Sequence, residues 1–245
     1  MLTDETAAEA YKKDVTRGGF MRTSSVLFTA FAVLVLVSLN APAQTNAIQI
    51  PVQGTNNTLP KVNDIGEMVW TSRDDAGEWD VFYFDGRATT RLLTPYCFDR
   101  FPQINNNGQI VWEGFDAFGW GIYLNDMVSG LPPQRITSTS VIANNPQINN
   151  SGDVVYEAAG RSGAAVYLYR NGVTTQLSPP GLIACGAQLN DNSTVVWTGY
   201  WYGDNDWDIY MCDTLTTPVT VSRIDHLGFV DNMPPSINEN GDIAW

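Results

Sequence analysis

Acidic and aromatic side chains alternate in stretches that the surrounding pattern predicts to be loops. Aromatic rings stack on the apolar faces of sugars or on peptide side chains, while carboxylates bond to hydroxyl groups or pair with cations. This chemistry makes the stretches candidate binding loops for a carbohydrate or a peptide, in particular a basic one. The candidate residues are Asp74, Asp75, Trp79, Trp120, Trp201, Tyr202, Asp204, Asp206 and Trp207.

The tryptophans also have a structural interpretation. Trp79, Trp120 and Trp207 each stand one residue before an apolar strand of the form Asp-Ile-Tyr or its equivalent. Large aromatic residues that recur in this way commonly pack between neighbouring repeats. Trp201 and Tyr202 have no counterpart elsewhere in the chain, so they are the sharper candidates for contact with a ligand.

Asp204, Asp206 and Asp208 also suggest a calcium site, because hard cations are bound by clustered carboxylate oxygens. Their spacing does not match the EF-hand, and an ordinary hairpin turn has the same composition. The sequence therefore predicts no required cofactor, with calcium as the one candidate ion.

Motifs for catalysis are missing from the sequence. It has no Gly-x-Ser-x-Gly elbow, no His-Glu-x-x-His and no phosphate-binding Gly-rich loop with Lys. A serine triad would depend on His226, the single histidine, whose neighbour Asp225 points to the opposite side of an extended segment. Two carboxylates suffice for a glycosidase, so that activity stays open. We predict that the chain is not an enzyme.

The elements that position these residues are repeated five times, at intervals of 41 to 48 residues. Each repeat has an Asn-containing turn followed by a short apolar run that ends in Trp or Tyr, then an alternating strand and a closing segment. The runs are β-branched, aromatic and bounded by Gly or Asn, which predicts four strands per repeat. The aligned turn residues are Asn63, Asn105, Asn149, Asn190 and Asn238.

This pattern predicts an all-β fold, a β-propeller of four-stranded antiparallel blades with four complete blades and a partial fifth. A β-sandwich would give irregular spacing without a recurring signature. Gly66, Gly108, Gly152 and Gly241 are expected at positive φ in the turns. In the fourth repeat Ser193 replaces the glycine, and Asn192 is expected to be the left-handed residue there.

The second repeat carries a resemblance to a known family. It reads Pro102-Gln-Ile-Asn-Asn-Asn-Gly108-Gln-Ile-Val-Trp112, followed by Gly121-Ile-Tyr-Leu124 and Gln134-Arg-Ile-Thr137. It resembles the TolB-type propeller repeat, in which a Pro-x-Trp-Ser-Pro-Asp-Gly turn precedes an apolar strand, an Asp-Ile-Tyr strand and a closing Leu-Thr. Here Ile-Asn-x-x-Gly replaces Trp-Ser-Pro-Asp-Gly. The resemblance implies a propeller over residues 60–245 and says little about function, because such propellers serve both as binding modules and as accessory domains.

In a propeller, the loops between the second and third strands emerge on the same face as the loops that join blades. The blade-joining loops add further aromatic and charged residues to the candidate face. They are Tyr96, Phe98, Asp99, Arg100, Phe101, His226, Phe229 and Asp231.

The N-terminal region has the layout of a secretory signal peptide. Residues 21–43 contain Arg22, a 14-residue apolar run from Val26 to Leu39 and Ala41-Pro-Ala43, which predicts cleavage after Ala43. The run is too short to cross a bilayer comfortably, although an uncleaved membrane anchor is the alternative. We assign residues 1–20 to a disordered upstream extension and residues 44–59 to a linker or closing strand. The sequence thus predicts a secreted, periplasmic or cell-surface protein.

The net charge of −13 limits the class of partner. Removal of residues 1–43 leaves it unchanged, with Lys61 as the single remaining lysine. Such a surface repels phosphate backbones and anionic membranes, so we predict no nucleic acid and no membrane contact beyond the signal segment.

Cys97, Cys185 and Cys212 permit one disulfide plus a free thiol, or three unpaired thiols.

These observations predict an exported propeller module that binds a protein, peptide or glycan on its acidic, aromatic face. A non-catalytic domain of a larger secreted hydrolase or lyase is the alternative, and a structural adhesion or scaffold protein is the third hypothesis. The fifth repeat stops before its third strand, which predicts further blades beyond Trp245 or from another chain.

Overall fold

The computed structural model describes residues 34–35, 48–50, 56–94, 98–160, 163–203, 205–224 and 234–245. Two short strands, β1 (Leu34–Val35) and β2 (Ile48–Gln49), pair antiparallel. The predicted extension 1–20, the cleavage position at Ala43 and the residues Tyr96, Cys97, Asp204, His226, Phe229 and Asp231 lie outside the described residues. Within the described part of the chain, no helix is long and apolar enough to span a membrane.

Four antiparallel sheets of four strands follow one another, and we call them blades 1 to 4. Blade 1 contains β3 (Asn56–Val62), β4 (Met68–Arg73), β5 (Trp79–Phe84) and β6 (Thr89–Leu92). Blade 2 contains β7 (Asp99–Ile104), β8 (Gln109–Asp116), β9 (Gly119–Asp126) and β10 (Gln134–Arg135). Blade 3 contains β11 (Ala143–Ile148), β12 (Val154–Gly160), β13 (Gly163–Arg170) and β14 (Val173–Gln176). Blade 4 contains β15 (Ile183–Leu189), β16 (Thr194–Trp201), β17 (Asp206–Asp213) and β18 (Val221–Arg223).

A two-stranded sheet of β19 (Ser236–Ile237) and β20 (Ile243–Ala244) begins a fifth unit. The prediction of four complete blades and a partial fifth is confirmed. The first blade begins at Asn56, inside the segment 44–59 that the sequence assigned to a linker or closing strand.

One aromatic pair recurs in every complete blade, between the second and third strands. Each pair is stacked, with ring centroids 5.7 to 6.1 Å apart, and the ring on the second strand is almost fully buried. The equivalent places of these rings show that one module has been duplicated, as the spacing predicted. The pairs are Trp70 with Phe82, Trp112 with Tyr123, Tyr156 with Tyr167, and Trp197 with Tyr210.

The hydrophobic core is divided among the interfaces between blades. Strand residues alternate, so Val69 and Val81 of blade 1 pack against Ile110 and Trp112 of blade 2. The neighbouring residue Val111 faces the other way, into the interface with blade 3. Burial of both faces of each sheet explains why the second strand of each blade contains three consecutive apolar residues.

The aligned asparagines form a ladder of hydrogen bonds from blade to blade. In each turn the Asn side-chain oxygen accepts from the main-chain N–H four residues later, at 2.8 to 2.9 Å. In the first four turns, Nδ2 also donates to the main-chain carbonyl of the equivalent Asn in the next blade, at 2.9 to 3.2 Å. The same asparagine therefore closes its own turn and aligns the next blade.

The turn of the fourth repeat corrects one expectation. Ser193 itself has a φ of 60°, whereas Asn192 was expected to be the left-handed residue. Ser193 is buried, and its hydroxyl donates to Asp153 Oδ2 at 2.9 Å and accepts from Asn149 Nδ2 at 3.3 Å. These bonds to blade 3 offset the strain that a side chain meets at positive φ.

A candidate ligand groove between blades 1 and 2

A groove of about 430 Å³ lies at the boundary between blades 1 and 2. It forms where the start of β5 meets the entry to β7, since Trp79 and Phe98 make an isolated parallel bridge. Loops between second and third strands therefore meet blade-joining loops here, as the propeller topology predicted. The lining residues are Thr58, Leu59, Thr71, Trp79, Phe98, Asp99, Arg100, Phe101 and Trp120.

Arg100 is fixed across one wall of the groove. Its guanidinium carbon lies 3.9 Å from the centroid of the Trp120 ring and 5.2 Å from that of Phe101. Its Nε donates to Glu113 Oε2 at 2.7 Å. Cation–π stacking and the ion pair together hold this side chain in place, and its remaining N–H groups are donors at the wall.

Asp99 lies at the base of the groove and is completely buried. Burial raises the pKa of Asp99 to about 7, although the hydroxyl of Thr94, which donates to Oδ2 at 2.9 Å, works in the opposite direction. The second oxygen, Oδ1, and the indole nitrogen of Trp112 are both buried, and neither makes a well-aligned hydrogen bond. Trp112 is nevertheless close enough to Asp99 to work against the rise of its pKa. In blade 1 the equivalent pair is well aligned, with Trp70 Nε1 donating to Asn57 Oδ1 at 3.1 Å.

The first strand of each blade has a β-bulge beside the groove or at the equivalent place. The bulge lies between Thr58 and Lys61 in β3 and between Arg100 and Gln103 in β7. Leu59 and Phe101 occupy these bulges with φ of 55° and 53°, and both are about 41 % exposed. Asn145 and Gly186 occupy the equivalent bulges of blades 3 and 4 with φ of 52° and 68°, so the positive φ is a feature of the repeated first strand.

The acidic candidates of blade 1 stabilise a turn. Asp74 Oδ1 accepts from the main-chain N–H groups of Ala76 and Glu78, both at 2.9 Å. Arg91 pairs with Asp80 and lies 3.5 Å from Asp74. Asp75 is exposed in the same turn and outside the groove.

The aromatic candidates divide into two groups. Trp79 and Trp120 are half-buried and lie in the groove. Trp201, Tyr202 and Trp207 belong to blade 4, where the Tyr200 ring contacts Tyr202 at 5.2 Å and Trp207 at 5.3 Å between centroids. The structure does not bring this second group into the groove, and a ligand role for either group stays a prediction.

Two of the three calcium candidates, Asp206 and Asp208, lie among the described residues, and the calcium hypothesis stays a prediction. Asp208 is buried and forms an ion pair with Arg223. A side-chain oxygen of Asp206 accepts from the main-chain N–H of Trp207 at 2.9 Å. Among the described residues, no group of three or more acidic, His or Cys side chains has the arrangement of a metal site.

The two described cysteines are free thiols. Cys185 is half-buried and Cys212 is buried, and burial raises the pKa of Cys212 to about 12. Such a thiol stays protonated at neutral pH and behaves as a small apolar side chain.

Sequence reasoning named Phe98, Asp99, Arg100 and Phe101 as loop residues but missed Thr71. Thr71 is buried in β4, and nothing in the surrounding sequence distinguishes it from other strand residues. A comparison of aligned strands is the signal that identifies it, because Glu113 and Glu157 stand at the same place in blades 2 and 3.

Comparisons with known proteins identify the fold. The chain matches no family model and no curated protein sequence. Among solved structures it is similar to TolB from Agrobacterium tumefaciens, with 14 % identity, a TM-score of 0.57 and coverage of 82 % of this chain and 78 % of that one. TolB from Acinetobacter baumannii gives 15 % identity, a TM-score of 0.55 and coverage of 76 % and 47 %. A puromycin-hydrolyzing peptidase from Mycobacterium tuberculosis gives 15 % identity, a TM-score of 0.55 and coverage of 78 % and 32 %. The chain therefore has a TolB-like β-propeller fold.

Proposed function

We propose that this β-propeller is an exported interaction module that binds a peptide segment of a partner protein in the groove between blades 1 and 2. The observation that carries the proposal is the composition of the groove. Trp79, Phe98, Phe101 and Trp120 supply apolar and aromatic walls, while a small number of polar atoms lie at the base and on one side. Concave sites with this balance are typical of ligand sites.

A peptide fits this groove better than a sugar. A sugar brings many hydroxyl groups, and each one that leaves water needs a hydrogen-bond partner inside the site. The polar side chains of the lining are few, namely Arg100, Asp99, Thr58 and Thr71, which is too few for the many hydroxyl groups of a sugar. Apolar peptide side chains need no such partners, and the rings provide a large contact area for them.

The proposed location and class follow from the sequence. The segment 21–43 resembles a signal peptide with cleavage after Ala43, which supports export to the periplasm or the cell surface. The net charge of −13 favours protein partners over nucleic acids. We propose that the chain works by binding and not by catalysis.

The test is a peptide array and a glycan array probed with the wild-type protein and with two variants. Trp79→Ala removes a wall of the groove and should lower peptide binding about tenfold or more. Trp201→Ala removes an exposed ring from blade 4, outside the groove, and should leave peptide binding unchanged. Thermal melting of each variant controls for loss of the fold. Glycan binding that depends on Trp79, without peptide binding, would replace the peptide proposal with a carbohydrate site.

A second candidate function is suggested by the peptidases among the similar structures. The propeller domain of the trilobed protease from Pyrococcus furiosus matches with a TM-score of 0.50 and 9 % identity, and the chain covers 49 % of it. This similarity supports the alternative of a non-catalytic propeller domain within a larger secreted hydrolase. Sequencing of the complete reading frame distinguishes the two, because a hydrolase domain must be encoded next to the propeller.

A further inference from the structure

A buried carboxylate joins the blades at two consecutive interfaces. Glu113, on the second strand of blade 2, accepts from the main-chain N–H of Asn145 in blade 3 at 2.7 Å. Glu157, at the same place in blade 3, accepts from the main-chain N–H of Gly186 in blade 4 at 2.7 Å. Asn145 and Gly186 are the bulge residues of their strands, with φ of 52° and 68°. The carboxylate therefore satisfies an N–H that the bulge turns out of the sheet.

The interface between blades 1 and 2 lacks this carboxylate. Thr71 occupies the equivalent place on β4, since it pairs with Thr58 as Glu113 pairs with Arg100 and Glu157 with Asn144. Thr71 is 1 % exposed, and its Oγ1 makes no hydrogen bond. Phe101 is the bulge residue on the opposite side, with a φ of 53°. Thr71 has a shorter side chain than Glu113 and Glu157, so their carboxylate has no counterpart at this place, which we call the gap. Thr71 and Phe101 both line the groove.

From this comparison we infer a specific subsite, and the inference rests on the proposed peptide-binding function. We propose that the groove binds the carboxylate of a glutamate side chain from a partner peptide, in the place that Glu113 and Glu157 fill at the next two interfaces. The ligand carboxylate accepts from the Thr71 hydroxyl, from the main-chain N–H of Phe101 and from the free N–H groups of Arg100. Apolar residues on either side of the glutamate pack against Trp79 and Trp120.

The charges around the gap permit this occupant. Arg100 carries the positive charge at the wall and is shared with Glu113. Asp99 is the carboxyl group on the same side, and its nearest charged neighbours include Asp80 and Arg91, which pair with each other. Because burial raises the pKa of Asp99 to about 7, this group is mostly protonated at pH 6 and repels an anionic ligand little. A glutamate side chain stays ionised at that pH.

The experiment measures binding of short synthetic peptides at pH 6 by tryptophan fluorescence. The probes are acetylated and amidated pentapeptides with Leu or Phe on each side of a central Glu. One matched set has Gln in place of the Glu, and another has no acidic side chain but a free C-terminal carboxylate. The Glu peptides should bind about tenfold more tightly than both other sets, because a charge-assisted hydrogen bond is lost in each comparison.

Substitutions in the protein test the same subsite, as the peptide series does by changing the ligand. Thr71→Glu fills the gap with a tethered carboxylate and should abolish binding of the Glu peptides while it raises the melting temperature. Thr198→Glu makes the same change at the equivalent place in blade 4 and should leave peptide binding intact. Thr71→Val keeps the gap and the shape but removes the hydroxyl, and it should weaken binding of the Glu peptides and leave that of the Gln peptides unchanged.

The outcomes separate this inference from the function on which it rests. Equal binding of the Glu and Gln peptides, with sensitivity to Trp79→Ala, overturns the carboxylate subsite and leaves the peptide module intact. Tighter binding of the peptides with the free C-terminus shows that the carboxylate comes from the chain end, which overturns the glutamate assignment. Binding of Glu peptides that survives Thr71→Glu also overturns the subsite. Absence of any peptide binding that depends on Trp79 overturns the proposed function itself.

Discussion

Asn105 donates from its side-chain Nδ2 to the main-chain carbonyl of Asn149, the equivalent residue of the next blade, at 2.9 Å. The oxygen of the same amide accepts from the main-chain N–H groups of Asn107 and Gln109 at 3.0 and 2.9 Å. The Asn105 side chain is buried, and its amide bonds to its own turn and to the next blade. The same residue therefore stabilises the turn and the packing of two blades. This dual use explains why Asn stands at the same place in all five repeats.

Replacement of Asn105 by alanine should destabilise the protein by about 2 to 4 kcal/mol, because several buried polar groups lose their partners together. Urea denaturation provides the measurement. The matched control is Asn125→Ala. Asn125 is buried too, but its Nδ2 donates within its own blade, to the carbonyl of Leu131 at 2.9 Å. The control should cost about 1 kcal/mol. Equal costs would show that the bond between blades adds nothing.

Much of the fold could be predicted because its determinants are local and repeated. The Asn turn, the apolar second strand and the Asp-Ile-Tyr strand each carry their signal within a few residues, and repetition at a steady interval excludes a sandwich. The groove could not be predicted in the same way. Its character depends on Thr71 of one blade facing Phe101 of the next, and a contact across an interface leaves no local pattern.

The candidate residues show the same division. Aromatic composition predicted a ligand role for Trp79 and Trp120, and both line the groove, although the ligand role itself stays a prediction. It gave equal weight to Asp74, whose position two residues before Ala76 makes it an acceptor for its own turn. Asp and Asn in turns are ambiguous because the same oxygen can serve the backbone or a ligand.

Ser193 yields a prediction about strain. Its hydroxyl bond to Asp153 contributes stability, and its φ of 60° costs about 1 kcal/mol. Ser193→Ala loses the bond and keeps the strain, so it should cost about 1 kcal/mol more than Ser193→Gly, which loses both. Thermal melting of the two variants is the measurement. Gly108→Ala at the equivalent turn has space for the new methyl group and calibrates the strain alone. A more stable alanine than glycine variant at position 193 would contradict this account.

Gly121 yields a prediction about close packing. A Cβ atom there would lie 2.3 Å from the guanidinium carbon of Arg135, which donates to Asp116 at 2.7 Å and to the carbonyl of Gly119 at 3.1 Å. Gly121→Ala should therefore displace Arg135 and destabilise the protein by about 2 to 3 kcal/mol. A double-mutant cycle checks the cause. In the Arg135→Ala background the same change should cost less than about 0.5 kcal/mol. An unchanged cost there would assign the effect to the backbone.

Asp99 yields a prediction about pH. Its pKa is raised by burial from an ordinary value of 3.8 to about 7, so between pH 4 and pH 7 the folded state binds more protons than the unfolded state. Stability from this group is therefore full below pH 4 and is lost as the pH rises to 7, by about 2 to 4 kcal/mol. Asp99→Asn removes the titration, and its advantage over the wild type should grow across this range in urea denaturation curves.

The asparagine variant of Asp99 also copies an arrangement that blade 1 already contains. Asn57 accepts from Trp70 Nε1 there, so an asparagine at position 99 is expected to accept from Trp112 Nε1 and remove a buried polar mismatch. Asp116 and Asp153 titrate in the opposite sense, because burial is outweighed at both by hydrogen bonds that hold their pKa values below the usual range. The pH dependence that Asp116 and Asp153 give to the free energy of unfolding is the same in the wild type and in Asp99→Asn, so it cancels when the two proteins are compared. Parallel stability curves for the wild type and Asp99→Asn from pH 4 to pH 7.5 would mean that Asp99 is ionised throughout, and that its burial is offset by interactions other than the bond from Thr94.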